Sequence, residues 1–261
     1  MAHMHHDRDR AEGFGAEVDR YDRLRPSYPP ELVAWLTDGG AGTAVDVGCG
    51  TGQVARLLVA AGWDVVGVEP DARMAARARE RGVAVEVARF EEWEPSVRDV
   101  DLVCSGQAWH WIDPDTGHRR AAELLRPGGR LAAFWNAYRY DAEVAAVFAD
   151  VYGRHAPDLL RDSVSLGTAD PRHHDEDVAR LAASGLFDAV EARVFDHDRE
   201  LHVSMWLDEL TTHSAYRTLG ERKTEELFSE LRPALAAATG DTIAVRYDTT
   251  VASGVRSPPS A

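Results

Sequence analysis

The segment Val45-Asp-Val-Gly-Cys-Gly-Thr-Gly-Gln53 constrains this chain more than any other. A short apolar run stops at three glycines spaced two apart, Gly48, Gly50 and Gly52. A helical pattern then begins, with Val54, Leu57, Leu58 and Ala61 on one face. Glycine accepts positive φ and lets a ligand approach bare backbone. The helix that follows presents its first N–H groups without intrahelical partners. Strand, glycine turn and helix N-terminus together make a nest for a carboxylate or a phosphate.

Two ligand classes compete for this nest. A dinucleotide site sets a third glycine under the pyrophosphate in the order G-x-G-x-x-G. Gln53 stands at that position here, so the spacing is G-x-G-x-G. Asp46, in the strand end, repels a pyrophosphate and suits a cationic ligand held through water or backbone. A nicotinamide-dependent oxidoreductase is therefore the second reading of the loop.

The surrounding sequence alternates strand and helix. Strands are predicted at 43–47, 64–68, 83–88, 101–104 and 130–135. Asp71 fits an N-cap before a stripe of Met74, Ala75 and Ala78, and Gly82 can end that helix. Asp113-Pro114 opens another helix, which ends before Pro127. This β-α-β order implies an α/β fold: a mostly parallel sheet with helices on both faces and ligands beyond the strands' carboxyl ends. Residues 10–38 read as helical material across the sheet, broken by Pro26, Pro29 and Pro30. Val144, Val147, Phe148 and Val151 form a later helical face. Residues 156–176 read as irregular, and two more strands are predicted at 189–196 and 242–251. Of the helical segments between those strands, Pro233 is expected to break the second.

At 261 residues and 44% hydrophobic, the chain can bury one core with a smaller cap. Its net charge of −15 opposes nucleic-acid backbones and anionic membrane surfaces. It has no 18-residue apolar run, and residues 1–6 lack the apolar stretch of a signal peptide. Cys49 and Cys104 sit in glycine-rich or apolar settings and read as reduced thiols. A cytoplasmic protein without membrane or nucleic-acid partners is the expectation, as monomer or homodimer. His3, His5 and His6 read as a tail or tag remnant. His173-His174 with Asp175 and Asp177 lack the i, i+4 pairing of a helical metal site and read as a solvated loop, so no metal is expected.

Asp46-Val-Gly-Cys-Gly-Thr-Gly52 resembles the first signature of class I S-adenosylmethionine-dependent methyltransferases. Gln107-Ala-Trp-His-Trp111 resembles an element of the small-molecule branch, related to ubiquinone-biosynthesis and trans-aconitate methyltransferases. The resemblance implies a Rossmann-like fold: a seven-stranded, mostly parallel sheet with its last strand antiparallel, plus an N-terminal helical lid. It implies that S-adenosylmethionine lies against Asp46, Gly48, Cys49, Gly50, Gly52 and Gln53, with Glu69 on the ribose hydroxyls. Pro70, Met74, Phe90 and Glu91 would flank the adenine, and Gln107, Ala108 and Trp109 the methionine end. Tyr21 and Arg25 match the lid, where Arg25 could pair with the cofactor carboxylate.

Methyl transfer from a sulfonium is a one-step displacement that requires alignment and no metal. His110, after the fourth strand, is the candidate base. Tyr28, Trp111, Trp135, Asn136, Tyr138, Trp206, His213 and Tyr216 are the candidate acceptor-binding residues, and their aromatic character suggests a small, partly apolar acceptor. Expected boundaries are a tail at 1–9, a lid at 10–40, a methyltransferase domain at 41–254 and a flexible tail at 255–261. Cap segments are expected near 137–180 and 200–222. A non-catalytic S-adenosylmethionine-binding protein is the alternative outside the enzymes.

Overall fold

A computed structural model describes Val18, Asp22 and residues 24–38, 40–162 and 175–258. Its centre is a seven-stranded sheet in the order β3-β2-β1-β4-β5-β7-β6. The strands are β1 (Thr43–Val47), β2 (Asp64–Val68), β3 (Ala84–Glu86), β4 (Val100–Gly106), β5 (Leu125–Arg139), β6 (Phe187–His202) and β7 (Thr242–Arg256). The first five run parallel; β7 is inserted antiparallel between β5 and β6.

Local chemistry sets the crossovers. Helix α1 (Pro30–Thr37) precedes the sheet, and α2 (Gln53–Ala60) follows the glycine loop. Helix α3 (Ala72–Glu80) starts where Asp71 accepts the Arg73 N–H at 2.8 Å and ends before Gly82 at φ 83°. Helix α4 (Pro114–Leu124) is capped by Asp113, which accepts the Thr116 N–H at 2.9 Å. Leu32, Leu36, Val54, Leu58, Ala75 and Ala78 bury one sheet face. Phe90, Trp93, Trp109, Ala121, Leu124 and Trp135 pack on the other.

The cap grows from strand length. β4 ends at Gly106, paired with Phe134, while β5 continues to Arg139 beside β7. Tyr138, Val245 and Tyr247 on these overhanging arms join a second core with Phe148, Trp206, Leu207 and Leu231. That core is filled by α5 (Ala142–His155), α8 (Val203–Leu210), α9 (Ser214–Leu219) and α10 (Glu221–Thr239). The later strands exceed their expected lengths because each pairs with a long antiparallel neighbour.

Two expectations are corrected. Pro233 does not break its helix but lies inside α10. Its exposed position leaves the freed carbonyl to solvent, while Leu227, Leu231 and Leu235 bury one continuous stripe. Residues 156–176 are not wholly irregular, since α6 (Pro157–Asp162) and α7 (Asp175–Ala183) occupy both ends. Asp175 and Asp177 sit in the first turn of α7, where acids complement the helix dipole. His173 and His174 lie outside the described residues, as do His3, His5 and His6. Among the described residues no group of three potential metal ligands occurs, and no helix is long and apolar enough to cross a membrane.

Trp206 is fully buried and stacks on Phe148 at 5.1 Å. Trp206→Ala is expected to lower stability by about 3–5 kcal/mol in urea titration; an unchanged midpoint would contradict this account of the cap core.

Candidate active site

The turn between β1 and α2 is built by backbone that only glycine adopts readily. Gly48, Gly50 and Gly52 have φ of 65°, 56° and 81°. Gly48 N–H and Cys49 N–H both bond the Val68 carbonyl, at 2.8 and 3.2 Å, which ties the loop to the tip of β2. A Cβ at Gly48 would lie 2.5 Å from the Ala108 Cβ. Among the described residues, a Cβ at Gly50 would meet only the Met74 methyl, at 3.6 Å. The loop is thus packed tightly at one glycine and open at the next.

Glu69 completes the tip. One carboxylate oxygen accepts the Gly50 N–H and the other the Asp71 N–H, each at 2.9 Å. These bonds fix the carboxylate's orientation, and its remaining lone pairs can accept from a diol. Asp46, 1% exposed, accepts the Ala55 N–H at 3.0 Å and so caps α2 from the strand. Burial, reinforced by the Glu69 charge, pushes its carboxyl up to about 7.

Between the loop and the cap lies a cavity of about 460 Å³, including its open mouth. Asp46, Gly48, Cys49, Gly50 and Gln53 form one wall, and Arg25, Tyr28, Gln107 and Asn136 face them. These nine candidates are brought together. Thr51, Val54, Pro26 and Gly106 also line it, although none of them was a candidate site residue. Gly106 has a steric signature visible only in three dimensions: a Cβ there would lie 2.6 Å from the Tyr28 hydroxyl and 3.0 Å from Phe134. Gln107 takes φ 61°, uncommon for a side-chain-bearing residue, and donates its N–H to the Phe134 carbonyl at 2.8 Å.

The other candidates fall outside this cavity. Glu69 and Met74 border it through Gly50, and Pro70 follows Glu69. Phe90 is buried against Trp93 and Trp109; Glu91 accepts the Asp113 N–H at 3.2 Å. Ala108 packs on Gly48, and Trp109 stacks on His118. Trp135 Nε1 donates to His110 Nδ1 at 3.0 Å, and Trp111 lies beside that imidazole at 4.9 Å. Asn136, which lines the cavity, accepts the Thr249 hydroxyl at 2.7 Å. Tyr138 bonds Glu209 and His213, whereas Trp206 and Tyr216 lie in the cap core. Tyr21 lies outside the described residues.

The N-terminal segment is anchored at two points. Arg25 donates to the Thr212 carbonyl at 2.9 Å. Asp22, its side chain 2% exposed, accepts the Thr51 hydroxyl at 3.0 Å and pairs with Arg81.

A sheet whose last strand is inserted antiparallel, with a glycine cradle and an acid at adjoining strand tips, defines a Rossmann-like methyltransferase domain. Residues 45–133 match the family described as "Methyltransferase domain". An uncharacterized methyltransferase of Mycobacterium tuberculosis H37Rv is 37% identical over 193 residues, 72% of this chain and 79% of the relative. Trans-aconitate 2-methyltransferase of Mycobacterium tuberculosis H37Ra is 36% identical over 114 residues, 42% of each. A solved structure from Anaeromyxobacter dehalogenans, described as a type II methyltransferase, is 28% identical with a TM-score of 0.68, covering 90% of this chain and 99% of that one. Phosphoethanolamine N-methyltransferase 2 of Haemonchus contortus, in complex with S-adenosyl-L-methionine, shares the fold at TM-score 0.53 and 17% identity, covering 99% and 61%. The chain belongs to the class I S-adenosylmethionine-dependent methyltransferases, and S-adenosylmethionine is its cofactor.

Gly48→Ala is expected to weaken S-adenosylhomocysteine binding by about tenfold or more in calorimetry, from αL strain of roughly 1–2 kcal/mol and the Ala108 clash. Gly62→Ala, with φ 87° and no described atom within 4 Å of the new Cβ, is the control and should bind normally. Equal affinities for both variants would refute the cradle.

The Asp46 proton gives a second test. Between about pH 4 and 7 the unfolded chain has released it and the folded chain keeps it, so stability falls as pH rises through that window. Denaturation of Asp46→Asn beside the wild type should show a gap changing across that window and level outside it; parallel curves would contradict the raised carboxyl.

Proposed function

We propose that the protein transfers a methyl group to a small, partly apolar acceptor in one in-line step, within the cavity between the glycine loop and the cap. The observation that carries this reading is the cavity's composition: bare backbone at Gly48 and Gly50 on one side, and Arg25, Tyr28, Gln107 and Asn136 on the other.

The residues fit the cofactor. The open Cα of Gly50 admits a ligand against backbone, and the oriented Glu69 carboxylate suits a ribose diol. Two charge-assisted hydrogen bonds there are worth roughly 1.5–3 kcal/mol each. Met74, Phe90 and Glu91 are assigned to the adenine side, and Tyr21, Arg25, Gln107, Ala108 and Trp109 to the methionine side. When bound, the cofactor supplies an electrophilic methyl group on a sulfonium.

The protein's share is alignment and dryness. Tyr28, set edge-on to Phe134 at 5.0 Å, walls one side of the acceptor space. Holding acceptor and methyl in line supplies roughly 7–11 kcal/mol of barrier reduction. Asn136, with its carbonyl oxygen committed to Thr249, keeps its amide N–H groups for an acceptor. His110 is read as a positioning group: with Nδ1 accepting from Trp135, the neutral ring carries its hydrogen on Nε2 and donates there. Residues 10–40 are read as a lid, on the strength of the Asp22 and Arg25 anchors.

Calorimetry with S-adenosylmethionine, S-adenosylhomocysteine and NAD should give one site for each of the first two and none for the third. Assay of homocysteine-nucleoside release across small hydroxyl, amine and acid compounds should then find turnover. Binding without turnover across a broad panel would favour a non-catalytic cofactor-binding protein.

A further inference from the structure

We propose that His213, Tyr138 and Glu209 form a proton relay at the cap end of the cavity, with His213 Nδ1 taking the proton from an acceptor that attacks through an O–H or N–H group. This rests on the methyltransferase reading and narrows its acceptor class.

The placement comes from the β5 overhang. Alternate residues share a face, so Phe134, Asn136 and Tyr138 point the same way. Phe134 meets Tyr28, Asn136 lines the cavity, and Tyr138 stands one step further into the cap. Arg25 lines the same cavity and donates to the carbonyl of Thr212, the residue before His213. The cluster therefore stands just beyond the cavity's lining on the cap side, Tyr138 two residues past Asn136 and His213 one residue past the Arg25 anchor.

Hydrogen counting sets the direction. The Tyr138 hydroxyl has one proton and donates it to Glu209 Oε1 at 3.0 Å. Its 3.1 Å contact with His213 Nε2 must then be completed by the imidazole N–H. Nδ1 is left with a lone pair and has no hydrogen-bond partner among the described residues. Tyr247 also donates to Glu209 Oε1, at 3.3 Å, and Arg199 to Oε2 at 3.4 Å. A network serving only to hold the cap would not need an open acceptor at its head.

The electrostatics favour passage over storage. Burial, then the Arg25 charge, holds the His213 imidazole well below the usual histidine range. Burial raises the Glu209 carboxyl, against the bonds and charges of Tyr138, Arg199, Arg25 and Tyr247. The ring thus does not retain a proton that the carboxylate can take.

The step balances. The acceptor's X–H bond breaks and an Nδ1–H bond forms. The Nε2 proton passes to the Tyr138 oxygen as the tyrosine's own proton passes to Glu209 Oε1. The electron pair left on X makes the new bond to the methyl carbon, and the sulfur keeps the pair of the bond it loses. A carboxylate acceptor, already deprotonated at neutral pH, would leave the relay idle.

The first test needs no acceptor. Long-range ¹H–¹⁵N spectra of the full chain with S-adenosylhomocysteine, with His213→Gln to assign the signal, should show the Nε2–H tautomer at neutral pH. An Nδ1–H tautomer or an imidazolium overturns the relay. The second test compares wild type and Tyr138→Phe over a panel of phenols, amines and carboxylic acids. Turnover should favour phenols or amines, and Tyr138→Phe should lower kcat by about 10²–10⁴-fold with KM and S-adenosylhomocysteine affinity unchanged. Normal cofactor binding with unchanged kcat in Tyr138→Phe, or turnover of carboxylic acids alone, overturns the relay and leaves the methyltransferase reading standing. Failure of the wild type to bind S-adenosylhomocysteine would instead sink that reading.

Discussion

One carboxylate ties the site together. Glu69, at the tip of β2, accepts backbone N–H groups from Gly50 in the loop and from Asp71 at the cap of α3. Three crossing points of the chain thus converge on one side chain. Removing it would leave two backbone donors competing for water beside an open cavity, at roughly 1–3 kcal/mol for each donor left unsatisfied. The glycines make this possible, because only bare backbone with positive φ can turn back toward a neighbouring strand tip within so few residues. Asp46 adds a second acid in the same region, kept largely dry and therefore reluctant to ionise. A cationic ligand is the partner that such a pair of acids favours.

Strand length divides the labour. The short strands β1 to β4 end together and set the floor of the site. The long strands β5, β6 and β7 run past that level and carry a separate apolar core. Asn136 stands at the boundary, with cavity on one side and cap on the other. Because the cap is attached through continuous strands, Tyr138 and Tyr247 are placed by sheet register rather than by loops, which favours precision in positioning.

The glycine loop, the alternation of the first five strands with helices and the caps at Asp71 and Asp113 were legible because each is a local demand of backbone geometry. The strand limits were not. The fifth strand was expected at 130–135, but β5 already begins at Leu125, and residues 126–129 form an irregularity between paired Leu125 and Arg130. A tertiary stripe kept Pro233 inside a helix despite its local penalty. Trp206, His213 and Tyr216 were all candidate acceptor-binding residues. The chain turns between α8 and α9, so the first and last enter the cap core while His213 faces Tyr138. Glu209 gave no sign at all, because the hydroxyls that hold it lie 71 and 38 residues away in sequence.

The insertion of β7 has a consequence for how this chain is made. Among the described residues β6 hydrogen-bonds to β7 and to no other strand, so β7 joins it to the rest of the sheet. On the ribosome, residues 187–202 therefore have no edge to dock against until residues 242–256 clear the exit tunnel. The parallel half can assemble early, but the cap must wait for its keystone. In that interval a long strand with both edges open is the segment most exposed to pairing with a neighbouring nascent chain.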